Sequence, residues 1–185
     1  MYRYLHSTKD LKLILESDGT DTIHWWVDAD LGVHHDMKSH TGGMLSLGKG
    51  AVYSASTKQK LNTKSSTESK SVGIDDLMPQ IIWTRLFLEA QGFVVRTNIL
   101  YHDNQRTIKL ANNGWASSGK RTRYLNIRYY FVTDRIAKDD KKVEHYTTSE
   151  MIVDFFTKSL QGKTFKKFLC YIMNIEEDHP ALILA

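Results

Sequence analysis

A single cysteine, Cys170, in 185 residues excludes an internal disulfide and any cysteine-based metal site, and it agrees with a reducing compartment. It lies in the apolar pattern "FLCYIM", which reads as packing rather than as a nucleophile. Long hydrophobic runs are missing as well. The longest, such as "QIIW" and "ALILA", fall far short of the ~20 residues that a membrane-spanning helix needs. The N-terminus "MYRYLHSTKD" mixes charges with aromatics and has no basic flank followed by an apolar stretch, so it does not read as a secretory signal. An intracellular protein is expected. Charge is nearly balanced: 25 Lys and Arg against 21 Asp and Glu leave +4, a mild basic bias that permits a polyanionic partner without requiring one. No repeat or low-complexity segment interrupts the chain, and its length suits one core with extensions.

What is present is a succession of strand and helix patterns. Residues 1–17 read as a short helix and a strand, and "DGTD" (Asp18–Asp21) as a turn. Three neighbouring antiparallel strands follow, at Ile23–Asp28, Gly42–Leu47 and Ala51–Ser56, with Gly48 and Gly50 supplying a hairpin turn between the last two. Val72, Leu77, Ile81, Ile82, Leu86 and Leu88 recur at mostly helical spacing between Ser/Thr caps at Ser65–Thr67 and a stop at Gly92. Pro79 is expected to kink or divide that long helix. Then come a strand, "TNILYHD", and a helix, "NQRTIKLANN". A basic loop, "SSGKRTR", precedes a helix "YLNIRYYFVTDRIAKDD", a strand "KKVEHYTT" and a last amphipathic helix from about Ser149. Strands alternating with helices make the class α/β.

Four acids stand out. In "IHWWVDADLGVHH" (Ile23–His35), strand alternation puts Trp26, Asp28 and Asp30 on one face and Trp25, Val27 and Ala29 on the other. Asp28 then has two readings: the strand stops there in a solvated turn, or a strand-end carboxylate in a cleft holds a divalent cation. Asp103 ends a later core strand in the same manner. Glu68 falls in the first turn of the long helix, where the helix dipole alone favours an acid. Asp154, in "SEMIVDFFTK", lies among apolar residues, where a carboxylate needs a partner or a cation. Converging, the four would repel one another without metal, so removing one charge, as in Asp28→Asn, is expected to raise the metal-free melting temperature. An all-oxygen set points to magnesium or manganese rather than zinc. The pair His34–His35 reads as polar surface after a turn.

The order "WVDAD … SSTE … YHDNQRTIKLA … VDFFTK" resembles the ribonuclease H domain that follows reverse transcriptase in the polyproteins of copia-type retrotransposons, across about residues 2–173. The resemblance implies a ribonuclease H-like three-layer fold, a mixed five-stranded sheet flanked by helices. It divides the chain into an N-terminal extension over 1–22, a ribonuclease H domain over 23–160, and a C-terminal helix and tail over 161–185. It assigns catalysis and metal binding to Asp28, Glu68, Asp103 and Asp154, with Asp30 as a motif residue. The family's "RTKHIDIRYHF" reads "RTRYLNIRYYF" here, which puts Tyr124, Asn126 and Tyr130 in place of His, Asp and His. Its "YCDN" reads "YHDN", its "SSTEAE" reads "SSTESKS", and Ser159 stands for the usual Pro. None of these changes removes a residue assigned to metal. Cellular ribonucleases H carry a mobile histidine before the fourth acid; Thr147–Glu150 has none, and nearby His145 falls in a strand pattern.

The implied activity is a magnesium-dependent endoribonuclease, with manganese as a substitute, that cleaves the RNA strand of RNA·DNA hybrids during reverse transcription. Two cations about 3.5–4 Å apart would activate water and hold the leaving oxygen. Asp28 would bridge them, Glu68 and Asp103 would complete one site and Asp154 the other. Asn104 and Gln105 are read either as contacts to the hybrid's minor groove or as helix capping, and Lys120, Arg121 and Arg123 either as phosphate contacts or as a solvated charge run. The implied partners are the hybrid and the reverse transcriptase of the same polyprotein, in a cytoplasmic virus-like particle. The rival is a catalytically inactive module of the same fold that binds nucleic acid or supports the reverse transcriptase. Integrases and transposases place the catalytic Glu after the second Asp, whereas Glu68 precedes Asp103.

Overall fold

The alternation in "IHWWVDAD" builds the central strand. In the computed structural model, which describes residues 2–113, 131–136, 141–176 and 179, β2 runs Thr22–Asp30. Ile23, Trp25 and Val27 enter one core with Leu45, Ile74, Leu77, Met78, Ile81 and Leu100. Trp26 enters a second, on the other face, with Met44, Met151, Ile152, Val153 and Ile172. A strand buried on both faces reads as an almost continuous apolar run, as this one does.

Around β2 lie β3 (His40–Ser46), β5 (Tyr53–Lys58), β6 (Thr97–His102) and β7 (Lys141–His145) in the order β5-β3-β2-β6-β7. In this order β3 runs antiparallel to its neighbours β5 and β2, while β6 runs parallel to both β2 and β7. The expected meander and mixed five-stranded sheet are both present.

The first face is covered by α2 (Ser66–Ala90), which buries Val72, Leu77 and Ile81 of the predicted set together with Ile74 and Met78, while Ile82 and Leu88 are half-buried and Leu86 is exposed. The Ser65 hydroxyl accepts the Glu68 N–H at 3.2 Å, which satisfies one orphan donor of the helix start, and the Glu68 carboxylate reaches back to accept the N–H of Lys64, just before the cap, at 2.7 Å. Pro79 lies inside α2 and does not divide it. After β6 comes α3 (Gln105–Asn113), and residues 131–136 are helical (α4). The expected final helix from Ser149 is instead three pieces: a 3-10 turn at Thr148–Glu150, a short α5 (Asp154–Thr157), and α6 (Gly162–Met173). Gly162, at φ +62°, marks the break. With α1 at Tyr2–Thr8, no described helix is long and apolar enough to cross a membrane.

Gly48 and Gly50 do more than turn a hairpin. Gly48 and Lys49 form β4, which pairs antiparallel with β1 (Glu16–Ser17) in a small second sheet. At Gly48 a Cβ would lie 2.5 Å from both Asp18 N and Glu16 O, and its φ is +144°, so only glycine fits. The Ile14 N–H donates to Met173 O and the Ala51 N–H to Ile172 O, which ties the first segment and the sheet to α6.

Candidate active site

The parallel register of β2 and β6 sets Trp26 opposite Tyr101. Extending each strand by two residues brings Asp28 and Asp103 to the same end of the sheet. Asp28 is 1% exposed. Its antiparallel partner is Gly42, where a Cβ would sit 2.7 Å from Thr157 Cγ2 and 3.0 Å from Val153 O. This bare position lets α5 approach closely. From α5 the Thr157 hydroxyl donates to Asp28 Oδ2 at 3.1 Å, and Asp154 opens the helix beside it, also buried.

Between the two strand-end acids lies a residue that the motif assignment passed over. Lys70 Nζ is 2.8 Å from Asp28 Oδ1 and 2.6 Å from Asp103 Oδ1, both charge-assisted hydrogen bonds. Burial lowers the Lys70 amine, but the charges and hydrogen bonds of Asp28 and Asp103 override it and hold the amine above its ordinary value. Lys70 is therefore an ammonium. Burial likewise raises the Asp103 carboxyl, and its hydrogen bonds with His102 and Lys70, together with the Lys70 charge, reverse that and hold it well below the usual carboxylate range. His102 is fully enclosed, and burial keeps its imidazole below the ordinary value. Its Nδ1 lies 2.9 Å from the Asn104 N–H and 3.3 Å from Asp103 Oδ1, and its Nε2 is buried without a partner among the described residues. Asp154 has its own cation: Lys158 Nζ, one helical turn on, is 2.8 Å from Oδ2. Burial raises the Asp154 carboxyl and the charges of Asp28 and Asp103 add to this, while Lys158 opposes them. Asp154 Oδ1 is buried without a partner among the described residues.

Three of the four predicted ligands thus meet at one end of the sheet, and Glu68 does not join them. Its carboxylate is turned to the Lys64 N–H at the start of its own helix. Among the described residues, no three acidic, histidine or cysteine side chains are grouped to hold a metal ion. Asn104 caps α3, its Oδ1 accepting the N–H groups of Arg106 at 2.9 Å and Thr107 at 3.1 Å. Gln105 is exposed at the start of that helix, and exposed His145 ends β7 opposite His102. Lys120, Arg121 and Arg123 lie outside the described residues. His34 is not bare surface: its Nε2 is 3.0 Å from His40 Nδ1, and His40 Nε2 is 2.8 Å from the Ser56 hydroxyl.

No protein-family model matches the chain. It is 28% identical over 166 residues to the retrovirus-related Pol polyprotein of transposon TNT 1-94 from Nicotiana tabacum, which covers 89% of this chain and 12% of that polyprotein. The corresponding polyprotein of transposon RE1 from Arabidopsis thaliana is 28% identical over 168 residues, 90% of this chain and 11% of its own length. The chain therefore spans about an eighth or less of these relatives. Among solved structures, LC11 ribonuclease H1, isolated from compost, superposes with a TM-score of 0.54 at 8% identity over 74% of this chain and 93% of its own. The chain has the ribonuclease H fold and is similar to a segment of retrovirus-related Pol polyproteins of plant transposons. In this ribonuclease H-fold domain, position 70 is where the family's "SSTEAE" carries its second glutamate and "SSTESKS" a lysine. The residues present do not fit a resident pair of divalent cations, because an ammonium already occupies the space between Asp28 and Asp103 and no carboxylate of α2 faces them. Lys158, by contrast, was readable from the sequence as the i+4 partner of Asp154.

Proposed function

We propose that this domain engages RNA·DNA hybrid at the end of the sheet marked by Asp28, Asp103 and Asp154, as part of a Pol polyprotein that also carries reverse transcriptase, and does so without metal-dependent cleavage. The observation that carries this reading is the Lys70 ammonium between Asp28 and Asp103. Three aspartates alone would repel a phosphate backbone. With Lys70 and Lys158 in place the five side chains sum to 3 negative and 2 positive charges, a net −1, and this near-neutral cleft removes most of that barrier. The fold gives further support: LC11 ribonuclease H1 in complex with an RNA/DNA hybrid superposes on this chain with a TM-score of 0.50 at 8% identity. A cytoplasmic virus-like particle belongs to the same proposal, as the setting of a retrotransposon Pol product.

The second reading is the magnesium- or manganese-dependent endoribonuclease. Its support is the convergence of Asp28, Asp103 and Asp154, but it requires Lys70 to leave the cleft and Glu68 to give up its cap. A labelled hybrid separates the two. Binding is followed by fluorescence anisotropy in EDTA, and cleavage by gel in magnesium or manganese. We expect retention of intact hybrid in preference to duplex DNA. Cleavage that Asp28→Asn abolishes would establish the second reading instead, and no binding to hybrid would overturn the first.

A further inference from the structure

We infer that the Lys70 ammonium is this domain's resident cation, so that the Asp28–Asp103–Asp154 centre is assembled without metal and becomes a metal site only when position 70 is changed. The inference deepens the hybrid-binding reading above by naming what holds its centre together.

Each acid is already satisfied from within the chain. Asp28 gives Oδ1 to Lys70 and Oδ2 to the Thr157 hydroxyl. Asp103 gives Oδ1 to the same ammonium, and Asp154 gives Oδ2 to Lys158. Two oxygens are left over, Asp103 Oδ2 and the buried Asp154 Oδ1. A magnesium or manganese ion bridging Asp28 and Asp103 would have to take the position that the ammonium holds against Oδ1 of both. Any such ion must evict Lys70 from two charge-assisted bonds in a cleft where Asp28 is 1% exposed and the lysine side chain 13%.

The backbone of α2 holds that lysine in place. Ser69 and Ser71 on either side are buried, Val72 and Ile74 anchor the same turn in the core, and a Cβ at Gly73 would touch Ala29 and Thr41. The helix therefore has no room to rotate residue 70 away. It equally means that whatever side chain occupies position 70 starts from a backbone aimed at Asp28 and Asp103. A carboxylate there would turn an ion-paired cluster into an all-oxygen one, the donor set that divalent cations select.

The test needs no nucleic acid, so its failure is distinct from failure of hybrid binding. The 185-residue chain is titrated with manganese chloride alone, with free ion counted by electron paramagnetic resonance and Tm followed by circular dichroism. The wild type is expected to leave the free-ion signal unchanged and its Tm flat. Lys70→Glu is expected to take up manganese, with Tm rising by about 4 °C at tenfold over Kd. Should Lys70→Glu not fold without metal, the neutral Lys70→Met serves in its place, with weaker uptake. Manganese uptake by the wild type equal to that of the variants would overturn the inference, since the ammonium would then not be excluding the ion. Absence of uptake by both variants would overturn it too, because the cluster would then be no metal site in waiting.

Discussion

Lys70→Met removes the ammonium while keeping a side chain of similar length and apolar stem, so its cost isolates the charge. Asp28, 1% exposed, and Asp103, with its side chain 9% exposed, would be left facing each other with no cation between them. Removing one partner from a buried ion pair costs about 3–5 kcal/mol, and partial exposure of Lys70 argues for the lower end, about 3 kcal/mol. For a chain of this length that is a fall in Tm of roughly 6–12 °C. The pH dependence has a definite sign. Asp103 is held below its ordinary 3.8, so its stabilisation is complete above that value and is lost as the pH falls through the lower, folded one. Lys70 is held above its ordinary 10.5, so its stabilisation is complete below that value and is lost as the pH rises through the higher, folded one. Neither group changes wild-type stability between about pH 5 and 9. In Lys70→Met the two unpaired carboxylates relieve their repulsion by binding a proton, so the deficit should shrink as the pH is lowered from 7 to 5. Urea denaturation at both pH values, in EDTA, measures this. A deficit under about 1 kcal/mol, or one identical at pH 7 and 5, would refute the claim that Lys70 neutralises this pair.

Asp28→Asn, which repulsion among four acids would make stabilising, should instead lower metal-free stability by about 1–3 kcal/mol, because Lys70 loses a carboxylate; a rise in Tm by calorimetry would count against the ion-paired centre. Gly42→Ala pushes a methyl group against Thr157 and Val153 and should cost about 1–3 kcal/mol while loosening α5, visible as altered near-ultraviolet dichroism around Phe155 and Phe156; an unchanged spectrum and Tm would mean that the close approach is not required. Asn104→Ala should cost about 0.5–2 kcal/mol through loss of the α3 cap and leave hybrid affinity unchanged, so a drop in affinity at equal stability would restore Asn104 as a groove contact.

Much of the fold is legible in "IHWWVDAD" because a strand has only two faces, and Trp25 and Trp26 must enter different cores. The parallel pairing of β2 with β6 is not legible there, since it depends on a partner some seventy residues away. The site shows where letter matching runs out. Glu68 and Lys70 both lie in the copied motif, but at about 100° per residue they project some 200° apart around α2, so only one can face Asp28. Choosing between them needs the helix's orientation on the sheet, which is set by Ile74, Leu77 and Ile81 sharing a core with Ile23, Trp25 and Val27 of β2. The departure from "SSTEAE" to "SSTESKS" was visible as a change of letters, and its meaning waited on that rotation. The last helix fails for a local reason: apolar spacing continues from Phe155 through Ile172, while the backbone is extended at Lys158 and Gln161 and turns at Gly162, φ +62°, before α6 proceeds.

The strand order also sets a timetable for synthesis. As the chain emerges from the ribosome, β2, β3 and β5 can pair as soon as they are made, being neighbours in sequence as well as in the sheet. The other edge of β2, with Trp25 and Trp26 opposite Leu100 and Tyr101, must wait until α2 and then β6 have been translated. For that interval a nascent chain bears an aromatic strand edge with open backbone donors and acceptors, the kind of surface that recruits chaperones or other nascent chains. Pulse-labelled hydrogen exchange should find β3 and β5 protected before β6 and β7; the reverse order would show that the distant parallel pairing, not the local meander, starts the fold.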